Sequence, residues 1–382
     1  MTDFINVLRE YQQYGLLALI VTVFCTPLAI RIAHRFGVLD IPDQKLKPHA
    51  KPIPYLGGTA ICVAWALVLL VAMLSGGYDW HRLLPLLLGG IAMSVLGLVD
   101  DVRHVRPKIR LLVGAVVITA VILCTRVGFH SVGAVFHIFG LDLPDIVTVP
   151  ISVVIGVFIV LGACNSANLI DGLDGLCTGV TAIISLGFFM LASHLAAFGY
   201  SETGDPVRLV MAIAMVGAAL GFLPWNFNPA KIFMGDAGSV LLGYNCGMLI
   251  LLFAEGGTLR WVIGALMIFA LPIFDTALAM FRRWRAGRSI FEGDRSHFYD
   301  QLVQRGVPVR VTVLISYGLT LVYAGIGLLL TWVHAGRPVI RLRYGVLLYI
   351  GVTIATGLLA WKAGLTNPEE PRAKQETSPG GD

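Results

Sequence analysis

Charge is what this chain has least of. Only 13% of its 382 residues are Asp, Glu, Lys or Arg, while 57% are hydrophobic; an ordinary soluble domain carries roughly 25% charged residues. Mean hydropathy is +0.80. A chain so short of polar surface cannot cover itself in water, which excludes the soluble classes and predicts an integral membrane protein. Paired cysteines are missing too. The six (Cys25, Cys62, Cys124, Cys164, Cys177 and Cys246) stand in or beside apolar segments with no C-x-x-C and no short spacing, so they read as small buried hydrophobes and not as a disulfide or zinc framework. The opening "MTDFINVLREYQQYG" lacks a basic n-region and an A-x-A-like cleavage site, and its apolar run is expected to be a retained helix. No internal repeat is visible, which leaves an inverted-repeat transporter without support.

What is present is a series of long apolar stretches. A hydrocarbon core about 30 Å thick takes about 20 helical residues to cross. Segments centred in 15–33, 57–75, 83–99, 110–127, 149–164, 178–198, 208–223, 237–254, 259–280, 312–333 and 343–361 meet that length. The expected fold is therefore all-α, a polytopic bundle of about eleven transmembrane helices. It forms one domain over residues 1–365, with a tail, 366–382, whose Pro, Glu, Lys and Gly content predicts disorder. Segment 128–149, "GFHSVGAVFHIFGLDLPDIVTV", alternates and carries glycines, predicting a short external hairpin.

With eleven spans, twenty of the 28 Lys and Arg residues fall on the side of the C-terminus and eight on the other. The positive-inside tendency then places the C-terminus in the cytoplasm. Five polar or glycine-rich islands fall on that same side: "LDIPDQKLKPHAKPIPYLGG" (39–58), the Asp100-Asp101 turn in "GLVDDVRHVRPK", "CNSANLIDGLDGLCTG" (164–179), "PWNFNPAKIFMGDAGS" (224–239) and "FRRWRAGRSIFEGDRSHFYDQLVQR" (281–305). One composite site at the cytoplasmic interface is the expectation.

Each island has a plain reading beside a chemical one. Asp100 and Asp101 could simply end a helix, although a helix C-terminus disfavours anions and adjacent carboxylates repel unless a cation lies between them. Asn165, Asn168, Asp171 and Asp174 recur every three residues, which gathers them if the segment is helical. Such groups on an apolar stretch are costly unless they ligate or hydrogen-bond something; the alternative is a polar turn. Asp236, where the eighth span begins, is equally well read as an N-cap or as a metal ligand at a phosphate-binding helix terminus. Lys47, His49, Lys51, Arg295 and His297 can meet an anion. Magnesium fits the carboxylates, since it takes oxygen ligands from one or two carboxylates plus substrate phosphates, whereas zinc wants more His or Cys. Arg282, Arg283, Arg285 and Arg288 read as lipid-headgroup anchors, Trp225 and Trp284 as interfacial anchors, and Asp275 as a supporting residue able to snorkel or pair with one of those arginines.

"PHAKPIPYLGG", "GLVDDV", "NLIDGLDGL", "NPAKIFMGDAGSVLLG" and "GRSIFEGDRSHFYDQL", in this order and alternating with spans, resemble the polyprenyl-phosphate N-acetylhexosamine-1-phosphate transferases over roughly residues 15–335. The resemblance implies transfer of an N-acetylhexosamine-1-phosphate from a UDP-sugar to undecaprenyl phosphate at the inner membrane, releasing UMP, with magnesium or alternatively manganese. Its metal residues fall on Asp236 and Asn168, and its catalytic residues on Asp100, Asp101 and His297. Substrate contacts fall on Lys47, His49, Asn168, Asp171, Asp174, Asn226, Phe233 (stacking on uracil) and Arg295. The partners implied are the UDP-sugar, the polyprenyl phosphate and the membrane, with a homodimer allowed and no nucleic acid. The run His297-Phe298-Tyr299-Asp300 lacks the further histidines of commoner members and of lipid I synthases, which argues against a muramoyl-pentapeptide donor. A transporter or flippase is the rival from another class, and it predicts polar groups on both faces. A CDP-alcohol phosphotransferase would need an Ala-Arg pair soon after the first Asp-Gly, where this chain has "DGLDGLCTGV".

Overall fold

The computed structural model describes residues 2–41, 52–138, 140–198, 205–255, 259–287, 297–334 and 337–364. Lys47, His49, Lys51, Arg288, Arg295 and the tail 366–382 lie outside the described residues. The first half holds α1 (Thr2–Phe36), β1 (Leu39–Asp40), β2 (Ile53–Pro54), α2 (Gly57–Leu74), α3 (Trp80–Arg103), α4 (Pro107–Thr125), α5 (Ser131–Ile138) and α6 (Asp145–Leu169). The second holds α7 (Leu176–Ala197), α8 (Asp205–Asn226), α9 (Gly235–Ala254), α10 (Leu259–Ile268), α11 (Ala270–Arg285), α12 (Phe298–Gln304), α13 (Val309–Thr331), β3 (Val333–His334), β4 (Arg337–Pro338) and α14 (Leu342–Lys362). Among the described residues, ten helices are long and apolar enough to cross a membrane, and α10 with α11 makes an eleventh if counted as one broken span.

Local chemistry accounts for some helix starts. Asp79 caps α3 by accepting from the N–H of His81 at 3.0 Å, and α4 begins on Pro107, whose missing N–H is no loss at a first helical position. Two expectations need correction. The stretch 128–149 is not a hairpin: Ser131 opens α5 and Pro144-Asp145 opens α6, a proline followed by an acid being a helix-start signal that outweighs the alternation. The hairpin near a span end is instead β3–β4, where Val333 pairs with Pro338 and His334 with Arg337. The span 259–280 is not straight either. Its halves meet at 72° after Ile268, because Pro272 has no N–H to offer the Ile268 carbonyl.

The core is α9. Every residue from Ala237 to Ala254 is buried, and α3, α6, α8 and α2 pack around it. Two of its polar side chains have partners inside the bundle: Trp65 Nε1 donates to Asn245 Oδ1 at 3.1 Å and Tyr244 donates to the Leu86 carbonyl at 3.0 Å. A helix buried on all sides is a rigid post, and the residues at its N-terminus inherit that rigidity.

Candidate active site

Two carboxylates at the C-terminal end of α3 are an electrostatic misfit, since that end already carries partial negative charge. The fold relieves it by giving each a different positive partner. Asp101 spans to the start of α9, where its Oδ1 accepts from the N–H of Asp236 at 2.9 Å and its Oδ2 from that of Ala237 at 3.2 Å. It thus satisfies N–H groups that a helix N-terminus leaves orphaned. Asp100 accepts from the Val105 N–H at 2.7 Å and, through its other oxygen, from Arg110 Nη1 at 2.6 Å. The same nitrogen reaches Asp236 Oδ2 at 2.7 Å. The cation between carboxylates that electrostatics demands is Arg110, in the first turn of α4.

Asp236 does not act as an N-cap. Met234 holds the cap position, Asp101 performs the capping, and the Asp236 side chain is free for Arg110 and for Asn168, whose Nδ2 donates to its Oδ1 at 2.7 Å. Asn168 Nδ2 also donates to Ser239 Oγ at 3.1 Å, which turns the amide oxygen away from these contacts and leaves it available as a ligand. Asn165 folds back onto the Leu161 carbonyl at 2.8 Å and stays outside the cluster. Asp171 follows the end of α6. Burial, then the charges of Asp236, Asp101 and Asp174, push its carboxyl well above the ordinary range.

Backbone contacts clamp the first loop onto the start of α9. After the β1–β2 ladder, Phe233 N–H donates to Pro54 O, Gly57 N–H to Phe233 O and Gly58 N–H to Met234 O, all at 2.8–2.9 Å. Tyr55 donates to the Asp101 carbonyl at 3.3 Å. Gly58 and Gly97 permit this closeness. A Cβ on Gly58 would lie 2.1 Å from the Gly238 nitrogen and one on Gly97 2.4 Å from the Asp236 carbonyl oxygen. The Phe233 ring is half-buried beside the cluster.

Other residues singled out by sequence have supporting duties in this structure. Asn226 is buried and held at both ends: its Oδ1 accepts from Thr178 Oγ1 at 2.7 Å and Gly175 N–H at 3.2 Å, and its Nδ2 donates to Ile232 O at 3.1 Å. Asp174 Oδ2 accepts from Asn228 Nδ2 at 3.0 Å and Ala230 N–H at 2.9 Å. Both hold loops together; Asp174 is half-buried and makes these contacts through Oδ2. His297, expected to be catalytic, is buried against Asp275 (Nδ1 to Oδ2, 2.6 Å) and stacks on Tyr299 with ring centres 5.4 Å apart. Asp275 Oδ1 also accepts from the Phe298 N–H at 3.1 Å, and Tyr299 donates to the Leu169 carbonyl at 2.6 Å. Asp275 therefore pairs with a histidine, and the dyad ties α11 and α12 to the end of α6. Arg282 and Arg283 are buried inside the protein, which corrects their reading as lipid anchors; Arg285 is exposed.

The donor set suits a hard cation. Among the described residues the charges acting on Asp171 are those of other aspartates, Asp236 shares one guanidinium with Asp100, and Asn168 adds a neutral oxygen. Among the described residues no three His, Cys, Asp or Glu side chains form a ready metal cage. Magnesium binds in this way, through one or two carboxylates and substrate phosphates. Arg110 was invisible as a site residue in the sequence, where it was one of four basic residues after the Asp pair.

Residues 83–254, from α3 through α9, match the family model described as glycosyl transferase family 4. The chain is 33% identical over 311 residues to a probable undecaprenyl-phosphate N-acetylglucosaminyl 1-phosphate transferase of Bacillus subtilis, covering 81% of this chain and 82% of that one. It is 32% identical over 329 residues to a decaprenyl-phosphate N-acetylglucosaminephosphotransferase of Mycolicibacterium smegmatis, covering 81% and 79%. An undecaprenyl-phosphate alpha-N-acetylglucosaminyl 1-phosphate transferase of Salmonella typhimurium is 29% identical over 314 residues, with 80% of each covered. Similarity of this extent, running through the helices that assemble the carboxylate cluster, shows that the chain belongs to the polyprenyl-phosphate N-acetylhexosamine-1-phosphate transferases of glycosyl transferase family 4.

Proposed function

We propose that the protein transfers an N-acetylhexosamine-1-phosphate from a UDP-sugar to a polyprenyl phosphate at the cytoplasmic face of the inner membrane, releasing UMP and starting a lipid-linked glycan. The observation that carries this reading is the meeting of Asp100, Asp101, Asn168, Asp171 and Asp236 at one end of the bundle. Carboxylates and amides crowded at a helix N-terminus suit a polyanionic reaction.

An oxygen of the lipid phosphate attacks the donor's β-phosphorus in line, and the bond from that phosphorus to the UMP oxygen breaks. The lipid phosphate has a second pKa near 6 and is mostly dianionic at neutral pH, so no strong base is called for. Positioning is the larger task. Asp236 and Asn168 would hold magnesium, with Asp171 beside them; the metal supplies charge neutralisation at the two phosphate groups. Asp101 acts through the backbone, fixing the α9 terminus that presents Asp236. Asp100, held by the Val105 N–H, orients the attacking phosphate. Lys47, His49 and Arg295 meet the phosphates, and Phe233 stacks on the uracil ring.

Purified protein given undecaprenyl phosphate and a panel of UDP-aminosugars should release UMP with magnesium, and not with EDTA, from one donor in preference to the rest. Absence of UMP from every donor would sink the reading. A phosphorylated aspartate trapped with donor alone would replace direct attack by a covalent route.

A further inference from the structure

Arg110 stands in the place where a metal would be useful. Its Nη1 lies 2.6 Å from Asp100 Oδ2 and 2.7 Å from Asp236 Oδ2, so one nitrogen neutralises two carboxylates from different helices. Beside it is a small cavity of about 20 Å³, lined by Arg110 itself with Leu111, Leu161, Met93, Asn165 and Asn168. About 10–15 Å³ in this measure holds one water, so the space takes a water and not a guanidinium; the open direction for the Arg110 side chain, 23% exposed, is outward along the seam. Leu111 and Leu161 are half-buried, whereas Met93, Cys164 and Val240 on its other wall are buried, so the cavity runs from the α4–α6 seam inward to α3 and α9.

A divalent cation on Asp236 and Asn168 would draw on the same carboxylate that Arg110 now neutralises, and the two cations repel. When the carboxylates gain another cation, the arginine loses its partners. It becomes an unpaired positive charge on the edge of the apolar seam, in need of an anion. We infer that Arg110 is a two-position cation: it bridges Asp100 and Asp236 in the metal-free protein, and on metal binding it turns to the seam and holds the phosphate of the acceptor lipid. The assignment of lipid phosphate as that anion rests on the transferase reading above. Guanidinium suits the task, since it pairs with phosphate in a forked geometry and never deprotonates.

The device makes metal and lipid binding cooperative, because the metal frees the lipid's partner. Linkage requires the effect to be mutual. Manganese affinity of the purified full chain, read by electron paramagnetic resonance with and without undecaprenyl phosphate, reports it without turnover. The wild type is expected to bind manganese about tenfold more tightly with the lipid phosphate present, a coupling of ordinary size between linked sites. Arg110→Gln removes the competing cation, so manganese binds more tightly than in the wild type without lipid and gains nothing when lipid is added. Arg110→Lys keeps a cation and retains the gain. If Arg110 were only a scaffold, R110Q would lose manganese affinity in both conditions. That result, or an unchanged lipid-dependent gain in R110Q, overturns the inference. Failure of the transferase reading looks different: the gain persists in the wild type while no donor yields UMP.

Discussion

Asp171 is surrounded by charge of its own sign. Burial and the neighbouring Asp236, Asp101 and Asp174 raise its pKa, so in the metal-free protein its ionised form is disfavoured relative to the unfolded chain. The sign of the consequence follows. An unfolded aspartate ionises near pH 4, while the folded one keeps its proton to a higher pH; between the two the unfolded state is favoured progressively, and stability falls as pH rises. Asp171→Asn abolishes this loss. In EDTA, the thermal midpoint of D171N should exceed that of the wild type at pH 8 and converge with it towards pH 5; a lower midpoint for D171N at pH 8 would contradict the cluster's electrostatics. The sequence made the carboxylates conspicuous, because charge on an apolar background is costly and needs a reason. Their partners were illegible. The bond from Arg110 to Asp236 joins positions 126 residues apart, and no periodicity marks such a pairing. The double duty of Asp101 was hidden for the same reason: a cap supplied by another helix leaves no signature beside the helix it caps.

At the scale of elements, the start of α9 is set by its contact with the loop before α2. Gly58 donates to Met234 O while its α-carbon faces Gly238, and a methyl there would meet backbone at 2.1 Å, which no rotamer change relieves. Gly58→Ala should destabilise the folded protein by about 1–3 kcal/mol, the usual range for overpacking. It should also cut UMP release, because the loops that present Asp236 separate. Gly77→Ala is the control: nothing lies within 4 Å of its added carbon, and a shift within about 0.5 kcal/mol is expected. Thermal unfolding in detergent compares the two, and equal effects would deny the clamp its role. Span positions were legible from hydropathy because the bilayer imposes a length on them. The break between α10 and α11 was less so, since Pro272 lies within a run that hydropathy alone makes continuous. The stretch 128–149 was misread because alternation over a few residues fits a strand and a short amphipathic helix alike; Ser131 and Pro144-Asp145 decided for helix.

At the scale of the molecule the bundle has two unlike ends. The far end is not bare, contrary to what its loops suggest. Arg82 pairs with Glu255, and buried Arg208 donates to the Leu252 carbonyl at 3.1 Å with its guanidinium 5.5 Å from the Phe253 ring. These contacts pin α3 and α8 to the C-terminal end of α9, opposite the end that presents Asp236. Glu255 and the Leu252 carbonyl both belong to that end of α9, so the group reads as a structural pin. The carboxylate cluster, by contrast, has an excess of negative charge that only outside cations or basic loops can balance. The distribution of Lys and Arg predicts that this end faces the cytoplasm, where nucleotide sugars are available. Two exposed positions test the orientation: Lys108, in the first turn of α4 beside the cluster, and Asp142, between α5 and α6 at the far end with 83% of its side chain exposed. In a Cys124→Ser background, which removes the exposed native thiol, Asp142→Cys should react with a membrane-impermeant maleimide on intact cells. Lys108→Cys should react only after the membrane is permeabilised. Labelling of K108C on intact cells, with D142C protected, would invert the bundle and place the carboxylates on the side without nucleotide sugars, leaving the transferase chemistry without its donor.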